Sequence, residues 1–184
     1  VHENAALWSV YTPIDCGEGS QQQCYNATRY VDSNIPHLPV RWQSNPLYDR
    51  IFDCGADTLY TISTSNWMPY SWSINSVASA EVMNTALAFF NSGRSNAGFN
   101  LMKANIMDQM YLGSSPANFG QVSYYDAARG ECYRDFGDNV GVSARTLLQG
   151  LFGIQPDALN GKCVIRPGFP AEWDSASVKT PYLS

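Results

Sequence analysis

Apolar residues recur at three- and four-residue intervals in four stretches of the chain, and this spacing predicts four amphipathic helices. The stretches are residues 20–33, 76–92, 95–113 and 138–153. Ser20 is the expected N-cap of the first helix, because its hydroxyl can accept a hydrogen bond from the backbone of the first turn. Gly93 is the expected C-terminal stop of the second helix. Only Gly93 and Arg94 separate the second helix from the third, so we predict that these two form an antiparallel hairpin.

The segments outside these helices are rich in turn residues. They are residues 1–19, 34–75, 114–137 and 154–184. We expect residues 1–19 to be an extended entry ending in a turn, and Pro46 to open a short helix over 46–52. Apolar residues on both sides of Asn160-Gly161 predict a type I′ β-hairpin, and Val178–Leu183 predicts another strand. The sequence therefore predicts a mainly α-helical chain whose β-strands follow residue 155.

Composition narrows the class of ligand. Charged residues make up only 15% of the chain and aromatic residues 13%, whereas charged residues are about a quarter of a typical soluble domain. The net charge is −5 and no Lys/Arg run is present, which argues against a nucleic-acid partner. No apolar stretch approaches the roughly 20 residues of a membrane helix. A surface of Ser, Asn, Gln, Thr and Tyr suits neutral, hydroxyl-rich ligands.

The cysteines and histidines do not indicate a metal site. Five cysteines and two histidines occur without a CxxC pair or an HExxH motif, so we expect no metal and no cofactor. The odd number of cysteines leaves at least one free thiol. We interpret the cysteines as buried structural residues.

The order of the helices places three loop segments together. If successive helices alternate in direction, with 46–52 counted as one, then helices 20–33, 76–92 and 138–152 run parallel. The segments before them would lie at one end of the bundle. These segments contain Tyr11, Asp15, Glu18, Trp67, Tyr70, Trp72, Tyr124, Tyr125, Asp126, Glu131, Arg134 and Asp138. Carboxylates interleaved with Trp and Tyr are typical of a carbohydrate cleft, because rings stack on sugar C–H faces and carboxylates bond hydroxyls or transfer protons.

Several runs, in this order, resemble a known architecture. They are Asn66-Trp67-Met68-Pro69-Tyr70-Ser71-Trp72-Ser73, Tyr124-Tyr125-Asp126-Ala127-Ala128-Arg129-Gly130-Glu131, Phe136-Gly137-Asp138-Asn139-Val140-Gly141, Gly150-Leu151-Phe152-Gly153-Ile154 and Val164-Ile165-Arg166-Pro167-Gly168-Phe169-Pro170. The order resembles the last third of a six-hairpin (α/α)6 glycosidase domain leading into its C-terminal β-sandwich. α-L-Rhamnosidase-like and related large exported bacterial glycoside hydrolases end in this way.

The resemblance implies a fold, a location and a class of partner. Residues 1–155 would be part of an (α/α)6 toroid, and residues 156–184 the start of a C-terminal β segment. The protein would be periplasmic or secreted in a bacterium and would act on carbohydrate at the N-terminal ends of its inner helices. Because upstream hairpins are lacking, the chain would be a fragment that is inactive alone. Its apolar helix faces, including Met83, Phe90, Phe99 and Met102, would then self-associate or pair with the missing hairpins.

Glu131 and Asp126 are the candidate catalytic carboxylates, Glu131 first. Each has an alternative role, since Glu131 also fits a salt bridge with Arg129 or Arg134 and Asp126 fits a turn cap. The candidate substrate-binding residues are Trp67, Trp72, Tyr70, Tyr124, Tyr125, Asp15, Arg134 and Asp138. Core packing is the alternative for the aromatic residues, turn chemistry for Asp15, and helix N-capping for Asp138. Glu81 could face the ring centre or be a surface acid.

Three functions remain open from the sequence. The first is a glycoside hydrolase that uses two carboxylates across the scissile bond. The second is a non-catalytic carbohydrate-binding module. The third is a helical interaction domain whose exposed faces bind the missing hairpins.

Overall fold

The computed structural model describes residues 7–40, 59–64, 76–112, 124–126, 132–133 and 138–181. In these ranges the chain is mainly helical, with three small antiparallel sheets. The helices are α1 (Trp8–Asp15), α2 (Gln21–Asn34), α3 (Ser79–Asn91), α4 (Ser95–Ile106) and α5 (Asp138–Arg145). Two π-helical segments, Met107–Leu112 and Thr146–Leu151, continue α4 and α5. The predicted short helix at 46–52 lies outside the described residues.

Helix α3 is the centre of the core. Its buried residues cover most of the circumference, because Ala, Val, Met, Leu and Phe dominate the helix, and the polar residues Glu81, Asn84 and Asn91 share one half-buried side. They are Ser79, Ala80, Val82, Met83, Thr85, Ala86, Leu87, Ala88, Phe89 and Phe90. Helices α1, α4 and α5 pack around it. Because most of its surface is buried, α3 is stabilised mainly by packing against its neighbours rather than by its own backbone hydrogen bonds.

Helices α3 and α4 form the predicted antiparallel hairpin. Gly93 has φ of +79°, the left-handed conformation that ends α3. At the far end of the pair, Asn105 Nδ2 donates to Ser79 O at 3.3 Å and to Ser79 Oγ at 2.9 Å. The last turn of α4 therefore lies against the first residue of α3.

The π-helical continuation of α4 changes which residues face the core. A regular helical period predicts Ile106 and Met110 inward. In the structure Met107, Asp108 and Gln109 are buried, whereas Ile106 is only half-buried. The wider π-turn adds a residue to the turn and so rotates the following side chains around the helix. Two polar side chains thereby enter the core.

The segment at the start of the chain is helical, so the expectation of an extended entry over residues 1–19 is wrong for Trp8–Asp15. Leu7, Val10 and Ile14 are buried at helical spacing. Pro13 lies inside this helix, in its last turn. Gly17, with φ of +75°, follows the end of the helix.

The strands are not confined to the end of the chain, which corrects the expectation that they all follow residue 155. In the described ranges β1 (His37–Pro39) pairs with β2 (Tyr60–Ile62), and a second sheet has the order β3 (Ser76–Ala78), β4 (Tyr124–Asp126), β5 (Cys132–Tyr133). Strands of two or three residues are too short to show a two-residue period in the sequence. β3 also takes up the first residues of the predicted helix 76–92.

The predicted hairpin near the end of the chain exists, but with a different turn. β6 (Ile154–Asp157) pairs with β7 (Lys162–Ile165), and Asp157 faces Lys162. Residues 158–161 connect them through a 3₁₀ turn, in which Asp157 Oδ1 accepts from Asn160 N at 3.3 Å. Gly161 has φ of +61°, so a longer loop closed by Asp157 replaces the type I′ turn. Residues 178–181 form no strand, contrary to the expectation for Val178–Leu183.

Two of the three helices predicted to run parallel, α3 and α5, do so. Thr146 Oγ1 donates to Met83 O at 3.0 Å, and Gly150 lies against Phe90, so α5 follows α3 in the same direction.

Helix α2 does not follow this direction. It lies across the α3–α4 turn: Thr28 Oγ is 3.3 Å from Ser92 Oγ, and Asp32 forms an ion pair with Arg94. The residues from Asp15 to the start of α2 therefore lie away from the segments before α3 and α5, whereas Tyr11, earlier in the same segment, lies near Glu81 at the start of α3.

The side chains expected to drive self-association are already covered. Met83, Phe90 and Met102 are 0%, 9% and 4% exposed, and Phe99 is half-buried against the ring of Trp173, with 5.2 Å between centroids. These four residues therefore give no reason for self-association. In the part of the chain that the structure describes, no helix combines the length and apolarity needed to span a bilayer.

The cysteine interpretation also needs correction. Cys16 and Cys163 are free and exposed, and Cys24 is free and half-buried. The interpretation is therefore wrong for Cys16 and Cys163, whereas Cys24 packs against the core, and the side chains of Cys54 and Cys132 lie outside those described.

Candidate functional site

Two regions at opposite ends of α3 bring polar residues together. We call the first the sheet end: the start of α3, the end of α4, the start of α5 and strands β3–β5. We call the second the turn end: the α3–α4 turn, the residues after α1, and the segment from Arg145 to Gly168. The predicted site belongs to the sheet end.

At the sheet end, strand pairing fixes the position of three predicted site residues. Ser76 faces Asp126, Val77 faces Tyr125 and Ala78 faces Tyr124 across the β3–β4 ladder. The backbone of Tyr124–Asp126 therefore lies beside the three residues that lead directly into α3. Thr64 is also here, since its Oγ1 accepts from Ala78 N at 2.9 Å. The described parts of segments 60–75 and 114–137 therefore meet at one end, as predicted.

Besides Thr64, polar side chains from three helix ends are buried at the sheet end. They are Ser79, Asn105, Asp108, Gln109 and Asn139, each no more than 5% exposed. Gln109 Nε2 donates to Asp108 Oδ2 at 3.3 Å. Buried polar groups cost free energy unless they are bonded, so a group of them in one place is a feature of binding sites as well as of cores.

Glu81 and Tyr11 interact electrostatically near the start of α3. Glu81 lies in the first turn of α3, and Tyr11 is on α1. Burial raises the pKa of the Tyr11 phenol, the negative charge of Glu81 raises this pKa further, and a hydrogen bond with Asn84 opposes both. Tyr11 therefore stays protonated at neutral pH, next to a carboxylate. Glu81 is half-buried.

The other predicted site residues are distributed as follows. Trp67, Tyr70, Trp72, Glu131 and Arg134 lie outside the described residues. Asp138 is the first residue of α5, where a helix start was predicted, and Tyr124, Tyr125 and Asp126 form β4. The side chains of these four residues are not among those described.

Asp15 is at the other end of the molecule, which contradicts its placement with the acids of the sheet end. It accepts from Arg145 Nη1 at 2.8 Å and from Arg145 Nη2 at 2.5 Å. The hydrogen bonds to Asp15 raise the pKa of Arg145, burial lowers it, and the nearby negative charge adds to the increase. Arg145 Nε also donates to Gln149 Oε1 at 2.8 Å. This ion pair ties the end of α1 to the end of α5.

A cleft of about 540 Å³ opens beside this ion pair. Its volume is within the roughly 300–1,000 Å³ of small-ligand sites. The polar side chains lining it are Asp15, Gln21, Asn91, Ser95, Arg145, Gln149, Gln155 and Arg166. Four of these eight side chains are neutral amides, whereas most small-ligand sites have a mainly apolar lining.

Phe90 lines the same cleft and is held between two glycines. A Cβ atom built on Gly150 or on Gly168 would be 2.5 Å from a carbon of its ring. The backbone therefore approaches the ring more closely than any other residue type would allow. The glycines occupy the space around the ring, so the ring has little room to stack on a ligand.

Sequence reasoning missed Asp108 and Gln109, and it did not foresee the cleft. Asp108 and Gln109 fall between the inward positions of a regular helix, so only knowledge of the π-turn would have placed them in the core. The glycines at 150 and 168 were visible in the sequence, but their shared contact with Phe90 is long-range.

Comparison with known proteins gives no relative: no family model, no curated protein and no solved structure matches the chain. Within the described ranges, no group of three or more His, Cys, Asp or Glu side chains is arranged to hold a metal ion.

Proposed function

We propose that the chain is part of a glycoside hydrolase, that its helices are a section of an (α/α)6 toroid, and that the sheet end contributes to the active-site cleft. The observation that supports this most directly is the β3–β4 register. It pairs Asp126, from a distant segment, with Ser76, three residues before the helix that contains Glu81. Two acids from different segments at one end are what the reaction requires.

The reaction would use one carboxylic acid and one carboxylate. The acid donates its proton to the glycosidic oxygen as the bond from that oxygen to the anomeric carbon breaks. The carboxylate either removes a proton from the attacking water or bonds to the anomeric carbon, and water then releases the sugar. Glu131 is our candidate for the acid. Asp126 and Glu81 are the candidates for the second group, and Glu81 is added here because its charge acts on the Tyr11 phenol.

Tyr11 has a supporting role in this proposal. Since its pKa is raised, the phenol keeps its proton under ordinary conditions and can donate a hydrogen bond. A donor next to Glu81 would stabilise the ionised carboxylate, the form needed by a base or nucleophile. The low overall content of charged residues supports a neutral, hydroxyl-rich substrate.

The test is made in the enzyme that contains this chain, with release of reducing sugar from a panel of oligosaccharides as the measurement. Glu131→Gln, Asp126→Asn and Glu81→Gln each remove one acid without changing size. Loss of the acid or of its partner should lower turnover by about a hundredfold or more. Glu172→Gln, at an exposed position, is the matched control and should keep wild-type turnover.

Circular dichroism of each variant separates lost chemistry from lost folding. If all three acid variants are folded and keep near wild-type turnover, the sheet end is not the active site. If only Glu131→Gln is impaired, the second carboxylate lies elsewhere and Asp126 and Glu81 are structural.

A further inference from the structure

The cleft at the turn end has one cationic side chain that is not neutralised. Arg145 is paired with Asp15, so this pair contributes no net charge. Arg166 also lines the cleft, is exposed, and forms no ion pair with another described residue. The ionisable groups of the cleft therefore leave a single positive charge.

The neutral groups around it offer both donors and acceptors. Gln149 Oε1 is occupied by Arg145, which leaves the Gln149 NH₂ group to donate. Gln155 Nε2 donates to Asn91 Oδ1 at 3.4 Å, so Gln155 Oε1 is left to accept and Asn91 Nδ2 to donate. The hydroxyl of Ser95 can do either. Alternating donors and acceptors match sugar hydroxyls, each of which both donates and accepts.

We infer that this cleft is a binding site for one uronate residue of a saccharide. The carboxylate would bind at Arg166, and the ring hydroxyls would bond to the amides of Asn91, Gln149 and Gln155. Because Phe90 is enclosed by Gly150 and Gly168, hydrogen bonds rather than ring stacking would provide the affinity. The site is at the opposite end of α3 from the proposed acids, so it does not depend on the proposed hydrolysis.

Two probes that differ only in the group at C6 of each sugar residue test the charge. They are a galacturonate trimer and a galactose trimer, in which C6 is a carboxylate or a hydroxymethyl group. Isothermal titration calorimetry should show that the galacturonate trimer binds about tenfold more tightly, since a hydrogen bond to a charged group contributes about that factor. Equal affinity for the two trimers, or no binding of either, would overturn the inference.

Variants then locate the site. Arg166→Gln should weaken binding of the galacturonate trimer about tenfold and leave the galactose trimer unaffected. Gln149→Leu should weaken both trimers, because it removes a donor to a hydroxyl. Arg29→Gln removes an exposed arginine of α2 that does not line the cleft, and it should bind like the wild type.

The same titration distinguishes this site from the proposed active site. Glu81→Gln and Glu131→Gln should leave galacturonate binding unchanged. If Arg166→Gln binds the galacturonate trimer as tightly as the wild type, the carboxylate is bound elsewhere and the inference fails, whatever the result for hydrolysis. Sodium acetate at the same concentration should not compete, since it lacks the hydroxyls; full competition by acetate would show that charge alone is recognised.

Discussion

At the scale of single residues, close packing around Phe90 limits what the sequence can change. Gly150 and Gly168 come from different segments, yet both contact the Phe90 ring so closely that neither position has room for a Cβ atom. A core of this kind is close-packed, so added atoms are not absorbed without movement. The Phe90 side chain, far away in the sequence, therefore requires glycine at both positions.

Gly150→Ala should reduce the free energy of unfolding by about 1–3 kcal/mol, because its Cβ would be 2.5 Å from the Phe90 ring. Gly141→Ala is the matched control in the preceding turns of α5. No atom lies within 4 Å of its added Cβ, so it should be neutral or stabilise by about 0.5–1 kcal/mol. Urea denaturation measures both. Equal effects of the two substitutions would show that the ring does not restrict position 150.

Tyr11 should make stability depend on pH in the alkaline range. Its folded-state pKa lies above the ordinary value of 10.0, so folding favours the protonated phenol. This contribution is fully present below about pH 10 and is lost as pH rises towards the folded-state pKa. Tyr11→Phe should therefore lose less free energy of unfolding than the wild type between about pH 9 and about pH 11.

Urea titrations at a series of pH values test this prediction. Glu81→Gln should reduce the wild-type decrease without abolishing it, because burial is the larger cause of the raised pKa and the charge of Glu81 the smaller. If Tyr11→Phe follows the wild-type curve, the phenol is exposed to solvent and neither burial nor the charge of Glu81 raises its pKa.

At the scale of elements, the N-cap of α2 is a feature that can be predicted directly from the sequence. Ser20 Oγ accepts from Gln23 N at 3.3 Å, and Gln23 Oε1 accepts from Ser20 N at 2.8 Å. This reciprocal capping box satisfies two backbone donors. The N-cap was predictable because all its partners lie within three residues.

Ser20→Ala should lower the free energy of unfolding by about 1 kcal/mol, since it removes the cap. Ser33→Ala changes an exposed serine of the same helix, whose hydroxyl bonds only to Arg29 O, and should change stability by less than about 0.5 kcal/mol. The difference between the two melting curves is the measurement. If Ser33→Ala lowers the free energy of unfolding as much as Ser20→Ala does, the loss comes from removing a hydroxyl in general and not from removing the cap.

Whether an element could be predicted depends on whether local residues or distant contacts determine it. Helices α2 to α5 were predicted because long apolar repeats report a 3.6-residue period. Strands β3 to β5 were missed because they are short and are paired by long-range contacts. Helix α1 was missed although Leu7, Val10 and Ile14 have helical spacing, because Pro13 and Gly17 suggested a turn. The sheet end was predicted in part from the directions of α3 and α5, but α2 crosses the α3–α4 turn, and no local pattern reports that.

At the scale of the whole molecule, stability should be concentrated in α3. It is the helix on which α1, α4 and α5 pack, whereas all four residues of β7 are exposed. Native-state amide exchange should therefore be slowest in α3 and much faster in the β6–β7 hairpin, because exposed elements open locally without global unfolding. Equal protection of the hairpin and α3 would contradict this, and would indicate that the hairpin unfolds only with the core.

The central position of α3 has a consequence for synthesis of the protein. Its neighbours come from both sides of it in the sequence, with α1 and α2 made before it and α5 made after it. A nascent chain that has emerged only as far as α4 lacks Leu151, Thr146 and the glycines that enclose Phe90. That face of α3 stays uncovered while ribosomal elongation adds the next residues. The ribosome-bound intermediate should therefore be a client of chaperones that bind apolar segments, until α5 emerges and completes the core.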